Sequence, residues 1–89
     1  MTIFDWSDNK NEKLKKGRSI SFEEIIVAIE SGKLLDIVEH KNKRKYKNQK
    51  IFIVDIDNYA YCVPFEEVEE KVILKTIFPS KKATKKYLI

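Results

Sequence analysis

Residues 51–65, IFIVDIDNYAYCVPF, decide the fold. Ile51 to Ile56 and Tyr59 to Phe65 are dense in β-branched and aromatic side chains, and Asp57-Asn58 between them tolerates the positive φ that a two-residue hairpin turn requires. A β-hairpin follows. Further along, Glu66, Glu67, Glu69 and Glu70 make a solvated turn, and Lys71 to Phe78 alternates polar with apolar residues until Pro79 ends the ladder. In this third strand Val72, Leu74, Thr76 and Phe78 share one face, while Lys71, Ile73, Lys75 and Ile77 share the other. The pattern predicts a three-stranded antiparallel meander over 51–78. A hairpin alone is marginal in water, so its apolar face must be buried against helices.

Those helices lie upstream. Ser21 and Glu24 form a capping box, Ile20 and Ile25 are spaced as a hydrophobic staple, and Gly32 suits the position just past a helix end. Between them Phe22, Ile25, Ile26 and Ile29 recur at i, i+3, i+4 and i+7, one stripe of a helix. An earlier helix starts at the N-cap Ser7 and runs to Lys16, stopping at Gly17, with Leu14 as its one clear apolar contact. Ile3, Phe4 and Trp6 form an apolar lead, either a stub of edge strand or a lid on the first helix, with Trp6 in the core. Leu34 to Val38 is a short strand, antiparallel to the hairpin, and Ser80 caps a short C-terminal helix. The fold class is therefore α+β, an antiparallel β-sheet (meander 51–78 plus strand 34–38) packed by two N-terminal helices.

Eighty-nine residues make one domain with one core. Met1 to Trp6 lacks the basic flank and apolar run of a signal peptide, and no eighteen consecutive residues are apolar, so a cytoplasmic protein with no membrane partner is expected. Cys62 sits mid-strand, as a small buried hydrophobe does. One cysteine and one histidine cannot build an ordinary zinc site, and neither metal nor other cofactor is expected.

Eighteen basic against fourteen acidic residues leave a net charge of +4, but the lysines are bunched, which points to a polyanionic partner. The densest run is His40 to Lys50, HKNKRKYKNQK. Mutual repulsion of its cations keeps such a loop open, and it is either a solvated connection or a nucleic-acid contact. In the second case Lys41, Lys43, Arg44, Lys45, Lys47 and Lys50 take phosphates, while Tyr46 stacks on an exposed base. A second basic feature opens the last helix. Lys81 and Lys82 face the positive end of the helix dipole, at a cost on the order of 0.3–1 kcal/mol each, which a bound phosphate would offset. A frayed, solvated tail accounts for the same residues equally well.

Four features in order resemble the BrnT family of toxin–antitoxin ribonuclease toxins, small relatives of the RelE fold: Phe4-Asp5-Trp6 with Lys10-Asn11, Ser21-Phe22-Glu23-Glu24, the meander, and Ser80-Lys81-Lys82-Ala83-Thr84. The resemblance spans nearly the whole chain. It implies a RelE-like sheet with flanking basic residues that binds RNA, cleaves it without metal, and is silenced by a small DNA-binding antitoxin. The chain departs from the family in having Lys15-Lys16-Gly17-Arg18-Ser19 where Lys-His-Gly is common. Lys81 stands where an arginine is usual, and lysine keeps the charge but loses the bidentate fork.

Metal-free RNA cleavage needs an activated 2′-hydroxyl, a proton for the departing 5′-oxygen, and donors for the charge that builds on phosphorus. The candidates are His40 as acid or base, Lys75 with Lys81 and Lys82 as electrostatic clamps, and Tyr87 as proton donor or stacking platform. Tyr87 packing on Ala83 as plain core is the competing reading. Two rival functions remain: a Mg²⁺ nuclease built on Asp55, Asp57 and Glu69-x-Lys71, and a non-enzymatic basic module that binds nucleic acid or protein. If the 40–50 loop binds phosphates, glutamine at Lys43, Arg44, Lys45 and Lys47 weakens RNA binding. Each lysine–phosphate or arginine–phosphate pair so removed flattens the slope of log K against log[salt] by roughly 0.7, measured by fluorescence titration on single-stranded RNA.

Overall fold

The computed structural model describes residues 3–89. Its sheet is laid down as β1 (Ile3–Asp5), β2 (Leu34–Glu39), β3 (Gln49–Ile56), β4 (Tyr59–Val68), β5 (Lys71–Leu74) and β6 (Phe78–Pro79), with helices α1 (Asp8–Arg18), α2 (Phe22–Glu30) and α3 (Lys81–Tyr87). The sheet order is β1-β5-β4-β3-β2, with β6 also on β4. All pairings are antiparallel except β1 with β5, so the apolar lead is an edge strand and the sheet is mixed.

The hairpin forms as its sequence requires. Asp57 and Asn58 adopt φ of 51° and 66°, and the Asp55 carboxylate accepts the Asn58 amide at 2.9 Å. From the turn the β3–β4 ladder runs unbroken to Gln49 opposite Glu66. Glu66 and Glu67 thus belong to β4, and the turn narrows to Glu69 and Glu70.

Three expectations are corrected. The alternating 71–78 segment is two strands, because the chain breaks from the ladder over 75–77 while the Lys75 amide still donates to Pro64 O. The break shifts the alternation, so that Ile77 is fully buried in the same core as Leu74 and Phe78 goes to the opposite face. Arg18 anchors the break by donating to Ile77 O, which also explains why α1 continues through Gly17 to Arg18. Ser19, at φ 54°, then takes the left-handed position and its amide bonds Leu14 O. Finally, the 40–48 loop is not open. Asn42 accepts the Lys45 amide on its side chain and the Tyr46 amide on its carbonyl, and Tyr46 stacks on His40 at 4.4 Å between centroids. These interactions outweigh repulsion among cations that point into water.

Alternation on β3 and β4 builds two cores. Phe52, Val54, Val63 and Phe65 face α1 and α2, joining Leu14, Ile20, Phe22 and Ile25. Ile51, Ile53, Ala60 and Cys62 face the other way, toward Phe78, Ala83, Tyr87 and Leu88. Trp6 lies against Phe22 at 5.7 Å, and the staple pair Ile20 and Ile25 is buried. Among the described residues no helix is long and apolar enough to cross a membrane.

Asn11 locks the helices together. It is 4% exposed; its Oδ1 accepts the Phe22 amide at 2.8 Å and its Nδ2 donates to Glu23 at 2.7 Å, which holds the Glu23 carboxyl below its ordinary pKa. Asn11→Ala strands a buried N–H at the first turn of α2, so urea unfolding should show a loss of about 1–3 kcal/mol, against less than about 0.5 kcal/mol for Lys13→Ala on the exposed side of α1.

Candidate nucleic-acid interface

The second sheet face is roofed by α3, and two hydrogen bonds to Ala60 set the distance. The Ser80 amide donates to Ala60 O at 2.9 Å, and the buried Thr84 hydroxyl accepts the Ala60 amide at 2.9 Å while donating back to Ser80 O at 2.8 Å. Ala60 therefore spends both backbone groups on α3. Ser80 also caps the helix, accepting the Ala83 amide at 3.0 Å. The far end of α3 is tied to β2, where Tyr87 OH donates to Asp36 Oδ2 at 2.5 Å. The other oxygen of Asp36 accepts the Ile37 amide at 2.8 Å, which blunts an otherwise open donor near the sheet edge.

Between α3, the sheet and the start of the 40–48 loop lies a cleft of about 440 Å³. Its floor is apolar, with Ile51, Ile53 and Cys62 from the hairpin and Phe78 and Ala83 beside them. Its rim carries His40 and Lys41 from the loop and Lys82 and Lys86 from α3, with Glu39, Ser80 and Tyr87. Lys82 and Lys86 stand four apart and so share a helix face. Among the described residues neither they nor Lys41 joins an ion pair, so this is a cationic rim around an apolar floor.

Of the residues singled out in the sequence, the fold brings His40, Lys41, Lys82 and Tyr87 to this one cleft. Lys81 is exposed at the start of α3 and Lys75 is exposed in the break between β5 and β6; neither lines the cleft. Lys43, Arg44, Lys45 and Lys47 are exposed on the loop, and Tyr46 is half-buried with one side occupied by His40 and Lys45 Nζ 5.3 Å from its ring centre. Lys50 belongs to β3 and pairs with Glu67 at 4.0 Å, an exposed ion pair of little energetic weight. Residues missed in the sequence are Lys86, Asp36 and Thr84. Thr84 and Lys86 had local signals, the i, i+4 spacing from Ser80 that permits the back-bond and the i, i+4 spacing from Lys82 that puts both lysines on one helix face.

Proton chemistry is shaped by these neighbours. The Asp36 carboxylate, as acceptor, pushes the Tyr87 phenol above its ordinary pKa, with burial adding to the effect. Tyr87 is thus a poor acid. His40 Nδ1 accepts the Asn42 amide at 3.2 Å, which leaves Nε2 as the nitrogen free to donate. Burial raises the Cys62 thiol, opposed by Ser80 and the charge of Lys41, so it sits in the floor as a neutral group. The residues of the rival Mg²⁺ site are held apart: Asp55 and Asp57 lie at one end of β4 and Glu69 at the other, about 30 Å along a ten-residue strand.

Comparison with protein-family models, with curated proteins and with solved structures finds no match for this chain.

The Tyr87–Asp36 bond makes a signed pH prediction. Asp36 is held below its ordinary value of 3.8, first by Tyr87 and then by the Ile37 amide, so its contribution is present above that value and fades as pH falls through the folded pKa. Tyr87 is raised above its ordinary 10.0, so its contribution is present below that value and fades as pH rises through the folded pKa. In thermal melts, the advantage of the wild type over Tyr87→Phe should be flat near neutrality and shrink at both extremes.

Proposed function

We propose that this chain is a metal-independent ribonuclease toxin, BrnT-like with a RelE-like fold, that cleaves RNA, arrests translation and is held silent by a small DNA-binding antitoxin. The observation that carries the reading is the convergence of His40 and Lys41 with Lys82 and Lys86, far apart in the chain, on one cleft. The architecture of two N-terminal helices, a mostly antiparallel sheet and a short C-terminal helix supports the family resemblance.

The chemistry is attack of the 2′-hydroxyl on the adjacent phosphorus, its proton passing to water, with a 2′,3′-cyclic phosphate formed and the 5′-oxygen expelled to take a proton from water. Lys82 and Lys86 stabilise the charge that accumulates on the phosphoryl oxygens, and Lys41, on the other side of the cleft, holds a neighbouring phosphate. Fixed donors of this kind contribute about 10²–10³ in rate apiece where one has been removed. His40, with Nδ1 engaged by Asn42, offers Nε2–H as a hydrogen-bond donor to a phosphoryl oxygen. Tyr87 acts on the site by holding α3 through Asp36.

A second reading, a basic module that binds RNA without turnover, is favoured by the same interactions that tie up Tyr87 on Asp36 and stack His40 on Tyr46.

Purified protein is expected to cleave unstructured RNA with EDTA present and to inhibit cell-free translation. Replacing Lys82 and Lys86 together by glutamine should lower the rate by about a hundredfold or more. The same charge change at Lys13 and Lys16 on α1 should leave it within a few-fold. Binding without turnover would select the second reading, and a Mg²⁺ requirement, or intact RNA together with uninhibited translation, would sink the first.

A further inference from the structure

We infer that the cleft beneath α3 is a subsite for one unpaired nucleobase, with the phosphates on either side of that nucleotide held by Lys41 on the loop and by Lys82 and Lys86 on the helix. The inference rests on the RNA reading above and specifies how the strand is held.

The first ground is the pairing of surfaces. Phosphate-tracking grooves need only cations, yet here the cations ring a floor of Ile51, Ile53 and Cys62, on which an aliphatic or planar apolar group is the natural occupant. At about 440 Å³ the cleft falls within the range of roughly 300–1,000 Å³ typical of small-ligand sites. The second ground is where the charges stand. Lys41 arrives from the β2–β3 connection, whereas Lys82 and Lys86 come from α3. A ligand that satisfies both sides carries anionic groups flanking an apolar plane. A nucleotide within a strand does so; an acyl chain, with one anionic end, does not. The third ground is polar equipment at the rim: Glu39 as an acceptor can meet the edge of a base, and Tyr87 adds an aromatic ring. A base in a duplex is stacked and paired, so a site of this shape takes single strands.

The test uses the whole protein and 2′-O-methyl octauridylate, which lacks the attacking hydroxyl and so is not consumed, against an abasic 2′-O-methyl ribose-phosphate strand of the same length. The base-bearing strand is expected to bind about tenfold more tightly or better. It should also shift the methyl resonances of Ile51 and Ile53 on the floor, leaving Ile25 in the opposite core unmoved, while the abasic strand shifts neither. Ala83→Phe fills the cleft and should reduce the octauridylate to abasic affinity; if that variant does not fold, the methyl shifts of the wild type decide. Equal affinities with unmoved floor methyls overturn the base subsite while leaving phosphate-mediated RNA binding intact. A folded Ala83→Phe protein that keeps the full preference also overturns it. Failure to bind either strand removes the RNA reading and the subsite together.

Discussion

The constraint on which this structure depends is that the β3–β4 hairpin is buried on both faces. Its residues alternate between a core under α1 and α2 and a second one under α3, so each strand of the pair belongs to both. Burying a large aliphatic or aromatic side chain contributes about 1.5–3 kcal/mol, and Phe22, Ile25, Leu74, Ile77, Val54 and Val63 are the largest fully buried ones. All six lie in the first core. The second is smaller and leaves the cleft, where packing gives way to a ligand-sized space.

Helices of eleven, nine and seven residues have little stability of their own, so each is held by the sheet and by a polar clip. Asn11 joins α1 to α2, Arg18 joins α1 to the break before β6, Thr84 bolts α3 to β4, and Asp36 holds the end of α3 through Tyr87. Among the described residues no buried side-chain polar atom is left without a partner, which is why a domain of this size tolerates buried Asn11, Ser21 and Thr84.

These clips also give the cleft its electrostatics. Ser80 and Tyr87 fix the two ends of α3 and Thr84 its middle, and Lys82 and Lys86 are therefore carried at a set height over the floor, across from Lys41. Like charges gathered around a low-dielectric floor repel one another, and a polyanion relieves that repulsion.

Local chemistry in the chain determined much of the fold. Asp57-Asn58 marked the hairpin turn, the Ser7, Ser21 and Ser80 caps marked three helix starts, and the stripe Phe22, Ile25, Ile26 and Ile29 marked the buried face of α2. Each of these signals acts within one or two turns of chain. What the tertiary structure alone decided acts across it. The 71–78 alternation looked like one strand because the break at 75–77 is anchored by Arg18, nearly sixty residues away. One apolar face of the meander was expected to be buried; the hairpin is covered on both, because α3, too short and too basic for its own composition to reveal it as a cover, closes the second. Of the site, His40, Lys41, Lys82 and Tyr87 stood out as residue types. Their meeting in one cleft, the exclusion of Lys75 and Lys81 from its lining, and the binding of Tyr87 to Asp36 follow from how α3 crosses the sheet, and a crossing angle is set by packing rather than by any local pattern.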